Sequence, residues 1–313
     1  MDKSPHKSDF VNVNGIRLHY LDWGGNGPVL LFLTGLGHSA HVYDKFAHHF
    51  VDTFHVVGLT RRGHGDSDYP DTGYDVDTLT EDVRQSMDAL GIDKAILVGH
   101  SMANLELCHF AALHPERVLK LVFLEANYDG TSAAYKAMIE KYPLRKLSIP
   151  GLNDDHYTIE DYVAATKRAF PSLAAIWNEV MDEEFLHAVK KDPDGKIVDR
   201  QSGAIANALR GAIDSYTPEG ERIQAPVLSI FAINNGAFYL APDYMTEDQQ
   251  AQVIDFYDNV RPPLQHECIE QFRRSVPHAK IVVIPKGHHY CFFTHEAFVV
   301  DEMRKFLLPQ QSN

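Results

Sequence analysis

This chain of 313 residues has few cysteines, no long apolar run and no excess of basic residues. Its three cysteines, Cys108, Cys268 and Cys291, are too few and too widely spaced for a disulfide framework or a metal site, so we expect a reducing, cytoplasmic location. No apolar run approaches the roughly 18 residues that a membrane helix needs. Residues 1–10 also lack the apolar segment of a signal peptide. The sequence therefore predicts neither a membrane span nor secretion.

The charge balance excludes two classes of partner. Lys and Arg number 29 against 43 Asp and Glu, which gives a net charge of −14. Nucleic acids and anionic membranes both require a basic surface, so neither is expected as a partner. Hydrophobic residues make up 44% of the chain, which is typical of a globular protein and excludes disorder. We expect a small-molecule substrate, and we leave a homodimer open.

Short apolar runs alternate with helix-like stretches over most of the chain. The runs lie at residues 28–33, 54–59, 95–98, 118–124, 227–233 and 281–284, and the helical patterns at 40–50, 78–90, 102–113 and 295–308. Uninterrupted apolar runs suit strands that are buried on both faces, so this order predicts an α/β fold with a mostly parallel central sheet flanked by helices. Asn14-Gly15 predicts an antiparallel hairpin at the start.

The alternation is interrupted between residues 127 and 222. This stretch has helical patterns at 133–141, 159–170, 173–189 and 204–216 and no convincing strand. Because the sheet pattern continues on both sides, we predict a core of residues 1–126 and 223–313 with a helical cap, 127–222, inserted into it. A second independent domain is the alternative.

A candidate nucleophile lies where the run 95–98 leads into a helix. Gly99-His100-Ser101-Met102-Ala103 fits the nucleophile elbow, with Ala103 in place of the second glycine. The turn is so tight that only small residues fit two positions before and after the serine. It projects the Ser101 hydroxyl clear of the sheet, where backbone N–H groups favour developing negative charge.

Two further segments supply what acyl transfer by a serine needs. The run 28–33 ends in a loop with Gly35 and Gly37, and in this architecture the oxyanion is held by N–H groups of this loop and of the residue after the nucleophile. We assign these donors to Leu36 and Met102. Near the C-terminus, His288 follows an apolar strand and a glycine directly, so we choose it over His289 as the general base.

These segments resemble the α/β-hydrolase-fold serine hydrolases of the capped esterase type. Five motifs occur in the order and spacing of that fold: Thr34-Gly35-Leu36-Gly37, RRGHGDS at 61–67, Gly99-His100-Ser101-Met102, HPERV at 114–118 and Gly287-His288. The resemblance implies the fold, the serine and the histidine, and it leaves the substrate open.

The resemblance also bears on the third member of the triad. Such enzymes most often carry an aspartate after the strand that corresponds to residues 227–233, but Asn235 stands there. The family's other location is one strand earlier, where Glu125 ends an apolar run, as in haloalkane dehalogenases and zearalenone lactonases. A buried carboxylate needs a partner, and pairing with His288 would provide one. We therefore predict Glu125, with Asp129 and Asp243 as alternatives.

A serine at position 101 argues against dehalogenase or epoxide hydrolase chemistry, which resembling enzymes perform with a carboxylate nucleophile. It implies an acyl-enzyme, and so a serine esterase that cleaves carboxylic esters or lactones without a cofactor. Cofactor-free haloperoxidases and C–C hydrolases share the triad, and some members of the fold are small-molecule receptors. A proline-type aminopeptidase or amidase would need acidic cap residues, for which the candidates are Asp154/Asp155, Glu160/Asp161 and Asp182–Glu184.

No metal site is expected from the sequence. His38/His41 and His48/His49 are the nearest candidates, and we expect them at exposed positions of the first loop and helix. Aromatic residues of the predicted cap either line an apolar pocket or pack the cap onto the sheet; they are Tyr128, Tyr157, Tyr162, Phe170, Trp177 and Phe185.

Overall fold

An eight-stranded sheet forms the centre of the computed structural model, which describes residues 5–143, 154–241 and 243–308. Ten strands lie within these ranges, and two of them, β7 and β8, form a separate hairpin. The ten are β1 (Lys7–Val13), β2 (Ile16–Gly24), β3 (Val29–Leu33), β4 (His55–Leu59), β5 (Ala95–His100), β6 (Val118–Leu124), β7 (Val189–Lys191), β8 (Ile197–Asp199), β9 (Val227–Asn234) and β10 (Lys280–Gly287). The order in the main sheet is β1-β2-β4-β3-β5-β6-β9-β10, and every pair from β4 to β10 is parallel. The predicted α/β class and mostly parallel sheet are confirmed.

The chain opens with the predicted hairpin. Strands β1 and β2 pair antiparallel from Val13 and Ile16 outward. Asn14 and Gly15 both adopt positive φ, 47° and 75°, as a two-residue turn with the twist of the flanking strands requires.

Helices cover both faces of the sheet. They are α1 (Asp44–Ala47), α2 (Val76–Ala89), α3 (Asn104–Leu113), α4 (Ala133–Glu140), α5 (Ile159–Ala169), α6 (Pro171–Ala174), α7 (Glu179–Ala188), α8 (Gly203–Ser215), α9 (Glu247–Asp255), α10 (Arg261–Ser275), α11 (Cys291–Thr294) and α12 (Glu296–Leu307). Adjacent β3 residues belong to different buried clusters: Leu31 to one that includes residues of α2, α3 and α10, and Phe32 to one that includes residues of α1 and α12. Within the described ranges, no helix is both long and apolar enough to cross a membrane.

Two predicted helices are shorter than the sequence pattern suggests. Residues 40–50 form only a 3₁₀ turn, Ala40–Tyr43, followed by α1. The pattern at 173–189 is divided between α6 and α7, because the Asn178 side chain accepts hydrogen bonds from the N–H groups of Val180 and Met181 and so starts a new helix.

The segment between β6 and β9, residues 125–226, is called the insert below. It contains α4 to α8 and the antiparallel hairpin of β7 and β8, so the expectation of no strand in it was wrong. Strands of three residues are too short to show an alternating pattern in the sequence. Residues 144–153 of the predicted cap, and 1–4, 242 and 309–313 of the predicted core, lie outside the described residues.

A second excursion joins β9 to β10. It comprises the 3₁₀ turn Gly236–Tyr239, then α9, a π-helical turn Phe256–Val260 and α10. None of these elements was predicted from the sequence. Proline residues follow Arg261 in the first turn of α10, where a missing N–H costs nothing.

Candidate active site

The turn from β5 into α3 presents Ser101 at the carboxyl end of the sheet. Ser101 adopts a positive φ of 55°, which is unfavourable for residues other than glycine. The chain turns sharply at this residue. A Cβ atom on Gly99 would lie 2.8 Å from the Ala103 Cβ and 2.9 Å from a Leu107 methyl group. The turn thus has no room for a larger residue at position 99, which is the crowding that the sequence motif implies.

His289, and not His288, contacts the serine. The His289 Nε2 lies 2.9 Å from the Ser101 Oγ, and its Nδ1 lies 3.1 Å from the Glu125 Oε2. The choice of His288 was therefore wrong. Both residues follow the strand and its glycine, and the sequence offers no local signal that separates them.

His288 has a packing role instead. Its ring is 1% exposed and contacts the ring of Phe238 at a centroid distance of 4.9 Å. The Tyr290 N–H donates to its Nδ1 at 3.0 Å. Burial, with the nearby His289 as a smaller cause, lowers the pKa of His288 to about 3, so the ring is neutral.

Glu125 lies where the sequence analysis placed the acid. It follows β6 with a φ of 48° and is fully buried. Its Oε1 accepts hydrogen bonds from the Ala232 N–H at 2.6 Å and from the Tyr128 hydroxyl at 2.8 Å, which leaves Oε2 for His289. This carboxylate is therefore held in one orientation by two donors besides the histidine.

The alternative acids have other partners. Asp129 accepts from the backbone N–H and hydroxyl of Thr131, at 2.8 and 2.7 Å. Asp243 pairs with Arg168 at 3.1 Å on the surface. Asn235, at the position where an aspartate is commoner, accepts from a backbone N–H of the following turn at 2.9 Å.

The loop after β3 approaches the serine closely. A Cβ atom on Gly35 would lie 3.2 Å from the Ser101 Cβ and 2.8 Å from the His100 Nδ1. The loop is fixed by Arg61, which donates to the Thr34 carbonyl at 2.9 Å. Leu36 of this loop packs against the buried cluster that contains Met102. The assignment of the oxyanion donors to the N–H groups of Leu36 and Met102 stays a prediction.

His100 supports the loop that carries the base, a role that the sequence analysis missed. Its Nε2–H donates to the His289 carbonyl at 3.0 Å. Burial and the adjacent His289 hold the pKa of His100 well below its usual value, so it is a neutral donor.

A cavity of about 170 Å³ opens over Ser101 and His289. Its apolar lining comes mainly from the insert and α3: Leu105, Tyr135, Met138, Ile139, Ile213 and Tyr216. A second cavity of about 590 Å³ shares Met138, Ile139 and Arg261 with the first.

Of the six aromatic residues that were expected to line a pocket or to pack the cap onto the sheet, two line these cavities. Tyr128 lines the first cavity and Phe170 the second. Tyr162 and Trp177 instead pack against Phe185, each at 5.6 Å between ring centroids, and Tyr157 is exposed.

Two histidines expected to be exposed are buried. His38 and His41 are 9% and 1% exposed. The His38 Nδ1 lies 3.4 Å from Glu184 of the insert, and the His41 Nδ1 lies 2.9 Å from Asp44. The expectation failed because acidic partners make burial of these side chains favourable.

Two groups that include His41 have the donor atoms of a metal site. His6, His41 and Asp44 form one group, and His19, His41 and Asp66 form the other, each with candidate ligand atoms within 4.8 Å of one another. Neither group lines the two cavities described above. Asp44 already accepts from the Trp23 indole N–H at 2.9 Å, so its oxygens have partners without an ion.

Comparison with known proteins identifies the family. A family model described as the alpha/beta hydrolase fold matches residues 28–296. The 2-(acetamidomethylene)succinate hydrolase of Mesorhizobium japonicum is 27% identical over 222 residues, which are 70% of this chain and 75% of that protein. Epoxide hydrolase 1 of Caenorhabditis elegans is 34% identical over 127 residues, which are 40% of this chain and 31% of that protein, so this match covers less than a third of the relative.

A solved structure shows that the similarity extends over the whole fold. The crystal structure of E-2-(acetamidomethylene)succinate hydrolase matches with a TM-score of 0.73 and 19% identity, over 96% of this chain and 99% of that one. The family and these relatives support a hydrolytic enzyme and leave its substrate open. The chain belongs to the alpha/beta hydrolase fold family.

Proposed function

We propose that the protein hydrolyses carboxylic esters, lactones included, through an acyl-enzyme on Ser101. The observation that carries this proposal is the continuous set of contacts from the Ser101 Oγ to His289 (2.9 Å) and from His289 to Glu125 (3.1 Å). A serine hydroxyl is a weak nucleophile at neutral pH, and a histidine at this distance can accept its proton as it attacks.

The first half-reaction forms the acyl-enzyme. The Ser101 Oγ attacks the ester carbonyl carbon while its proton passes to the His289 Nε2. The carbonyl oxygen becomes an oxyanion, which the N–H groups of Leu36 and Met102 would hold. Collapse of the intermediate breaks the C–O bond, and the departing alcohol takes the proton from His289.

The second half-reaction regenerates the serine. Water attacks the acyl carbon and gives a proton to His289, and the Ser101 Oγ takes that proton back as the carboxylic acid leaves. Glu125 stabilises the imidazolium in both half-reactions. Its two other donors, Ala232 and Tyr128, keep it aimed at the His289 Nδ1.

The insert is proposed to act as the cap that surrounds the bound acyl or alcohol group. Its residues Tyr135, Met138 and Ile213 form much of the apolar lining near Ser101. Such walls exclude water and favour apolar groups next to the scissile bond.

The aminopeptidase alternative receives no support from these cavities. It needs carboxylates that hold a substrate ammonium, but the Asp154/Asp155, Glu160/Asp161 and Asp182–Glu184 candidates line neither cavity. Among the described lining residues the only carboxylate is Glu125, and it is already engaged.

Labelling with a fluorophosphonate tests the proposal. We expect a covalent adduct on Ser101, located by mass spectrometry, that is lost in His289→Ala and kept in His288→Asn. Failure to label under conditions that label a control esterase would overturn the proposal. Turnover of aryl esters and lactones without peroxide or a halide would support ester hydrolysis. A protein that labels at Ser101 but turns over none of these substrates would instead favour a haloperoxidase, a C–C hydrolase or a receptor.

A further inference from the structure

An arginine with no hydrogen-bond or ion-pair partner among the described residues borders the cavity over Ser101. Arg261 is half-buried at the start of α10, and its Nε is fully buried and donates to no acceptor. Throughout the described part of the chain, no hydrogen bond or ion pair reaches its guanidinium. A guanidinium has five N–H donors and stays charged at any physiological pH, so its donors are available to a ligand.

Other arginines in the core are matched by carboxylates. Arg62 forms a two-pronged pair with Asp82, at 2.6 and 2.7 Å, and Arg61 pairs with Glu106. Both of these arginines are buried, and each has a carboxylate partner. Arg261 differs in lacking such a carboxylate.

Aromatic packing holds Arg261 in place. Its guanidinium lies 5.4 Å from the ring centroid of Tyr257, and that ring stacks on Tyr239 at 3.9 Å. Cation–π contact restrains the arginine without using its N–H donors. The side chain is therefore positioned in advance, which reduces the entropy lost when a ligand binds.

The position of Arg261 connects it to the chemistry. It lines both the cavity that contains Ser101 and the larger second cavity, where Arg210 is a second cation. No Asp or Glu is present among the described residues that line the second cavity. In a chain with a net charge of −14, this is a local excess of positive charge beside the proposed nucleophile.

We propose that Arg261 binds a carboxylate of the substrate, so that the preferred substrates are esters or lactones that also carry a carboxylate away from the scissile bond. This inference rests on the proposed function. The planar guanidinium matches one carboxylate through two parallel N–H···O bonds, and the apolar Met138 and Ile139 beside it suit the carbon chain between the two groups.

A matched pair of substrates tests the proposal. We compare 4-butyryloxybenzoate with the neutral 4-butyryloxybenzamide, and the adipate monoester of 4-nitrophenol with its terminal amide, to place the carboxylate on either side of the ester. In one of these pairs the wild-type kcat/KM should be higher for the anion by on the order of ten- to hundredfold. Arg261→Met should abolish that preference, because kcat/KM should fall by that factor more for the anion than for its neutral amide.

Arg273→Met provides the matched control. Arg273 lies on the same helix, is exposed and pairs with Glu270 at 3.2 Å, so this variant makes the same change of net charge at a distance from the cavities. It should keep the preference for the anion. Equal kcat/KM within both pairs in the wild type, or an equal loss for anion and amide in Arg261→Met, would overturn the proposal; the second result would mean that Arg261 only balances the charge of Glu125.

Binding to Ser101→Ala separates this proposal from the proposed function. Calorimetric titration of this variant with the four compounds requires no turnover. Tighter binding of a carboxylate than of its amide, lost when Arg261→Met is added, supports the anion site even if no ester is hydrolysed. Equal binding within both pairs overturns the anion site even if the fluorophosphonate labels Ser101.

Discussion

Separate replacement of the two adjacent histidines, 288 and 289, is the sharpest test of the site. Only His289 contacts the Ser101 Oγ, so His289→Ala removes the proposed general base. We expect kcat for an activated aryl ester to fall by about 10²- to 10⁴-fold with little change in KM, because the lost interaction is strongest in the transition state.

His288 should affect stability and not chemistry. His288→Asn keeps an acceptor for the Tyr290 N–H, and we expect kcat of the wild-type order. His288→Leu leaves that N–H without an acceptor in a buried position, which should cost about 1–3 kcal/mol of unfolding free energy. Urea denaturation of the three variants measures these differences.

The pH dependence of stability separates the two residues further. The pKa of His288 is about 3 in the folded protein and about 6.5 when unfolded, so below pH 6.5 only the unfolded chain takes up this proton. Stability then falls as the pH falls, by up to about 1.4 kcal/mol per pH unit, and the sum from pH 7.5 to 5 is about 2 kcal/mol.

His288→Asn should remove that contribution. The unfolding free energy measured in urea at pH 7.5 and at pH 5 should differ by about 2 kcal/mol less in this variant than in the wild type. The other buried histidines are present in both proteins and cancel in the comparison. An unchanged pH dependence, or a folded His288→Asn enzyme as inactive as His289→Ala, would refute the roles assigned to these residues.

Three further substitutions test the elbow, the acid and the attachment of the insert. Gly99→Ala places a Cβ 2.8 Å from that of Ala103, and we expect urea unfolding to show a loss of about 1–3 kcal/mol together with slower ester hydrolysis; wild-type behaviour would contradict the crowding. Glu125→Gln keeps the shape and removes the charge that stabilises the imidazolium, so kcat should fall by about 10²- to 10⁴-fold, and near-normal turnover would exclude the acid. The His187 Nδ1 lies 2.5 Å from Asp66. Burial alone would lower the pKa of His187, but the contact with Asp66 outweighs it and the pKa is raised. This pair therefore stabilises the fold below pH 6.5, and the stabilisation is lost as the pH rises through the raised pKa. His187→Gln should therefore unfold at a lower urea concentration than the wild type at pH 6, and its unfolding free energy should decrease less between pH 6 and 9. Equal decreases in both proteins would contradict the role assigned to this pair.

The sequence predicted the parts of the site that depend on strand ends. Ser101 and Glu125 each follow an apolar run, so the strand ends could be read directly, while the roles of these two residues came from the elbow motif and from the resemblance to the capped esterases. The base could not be fixed in the same way. His288 and His289 share the same local pattern, and the contact that distinguishes them joins residues 188 positions apart.

Elements without a periodic pattern escaped prediction for related reasons. The hairpin of β7 and β8 has strands of three residues, and the excursion between β9 and β10 has a mixed polar composition around a π-helical turn. Arg261 belongs to no motif, and its importance comes from packing on Tyr257 and from its place between two cavities. Such properties depend on tertiary structure, which local sequence patterns do not encode.

The location of the acid and that of the free arginine are connected. Because Glu125 extends from the end of β6, the neighbouring strand β9 contributes only a backbone donor, the Ala232 N–H, to the proposed triad. The chain after β9 is then not required to carry the acid; Asn235 starts a turn there instead. The excursion that follows is free to bring Arg261 to the cavity on an aromatic support. The proposed acid after β6 and the proposed carboxylate-binding arginine at the start of α10 therefore come from different segments of the chain, and the Tyr128 hydroxyl links them by donating to Glu125 and accepting from Gln265 of α10.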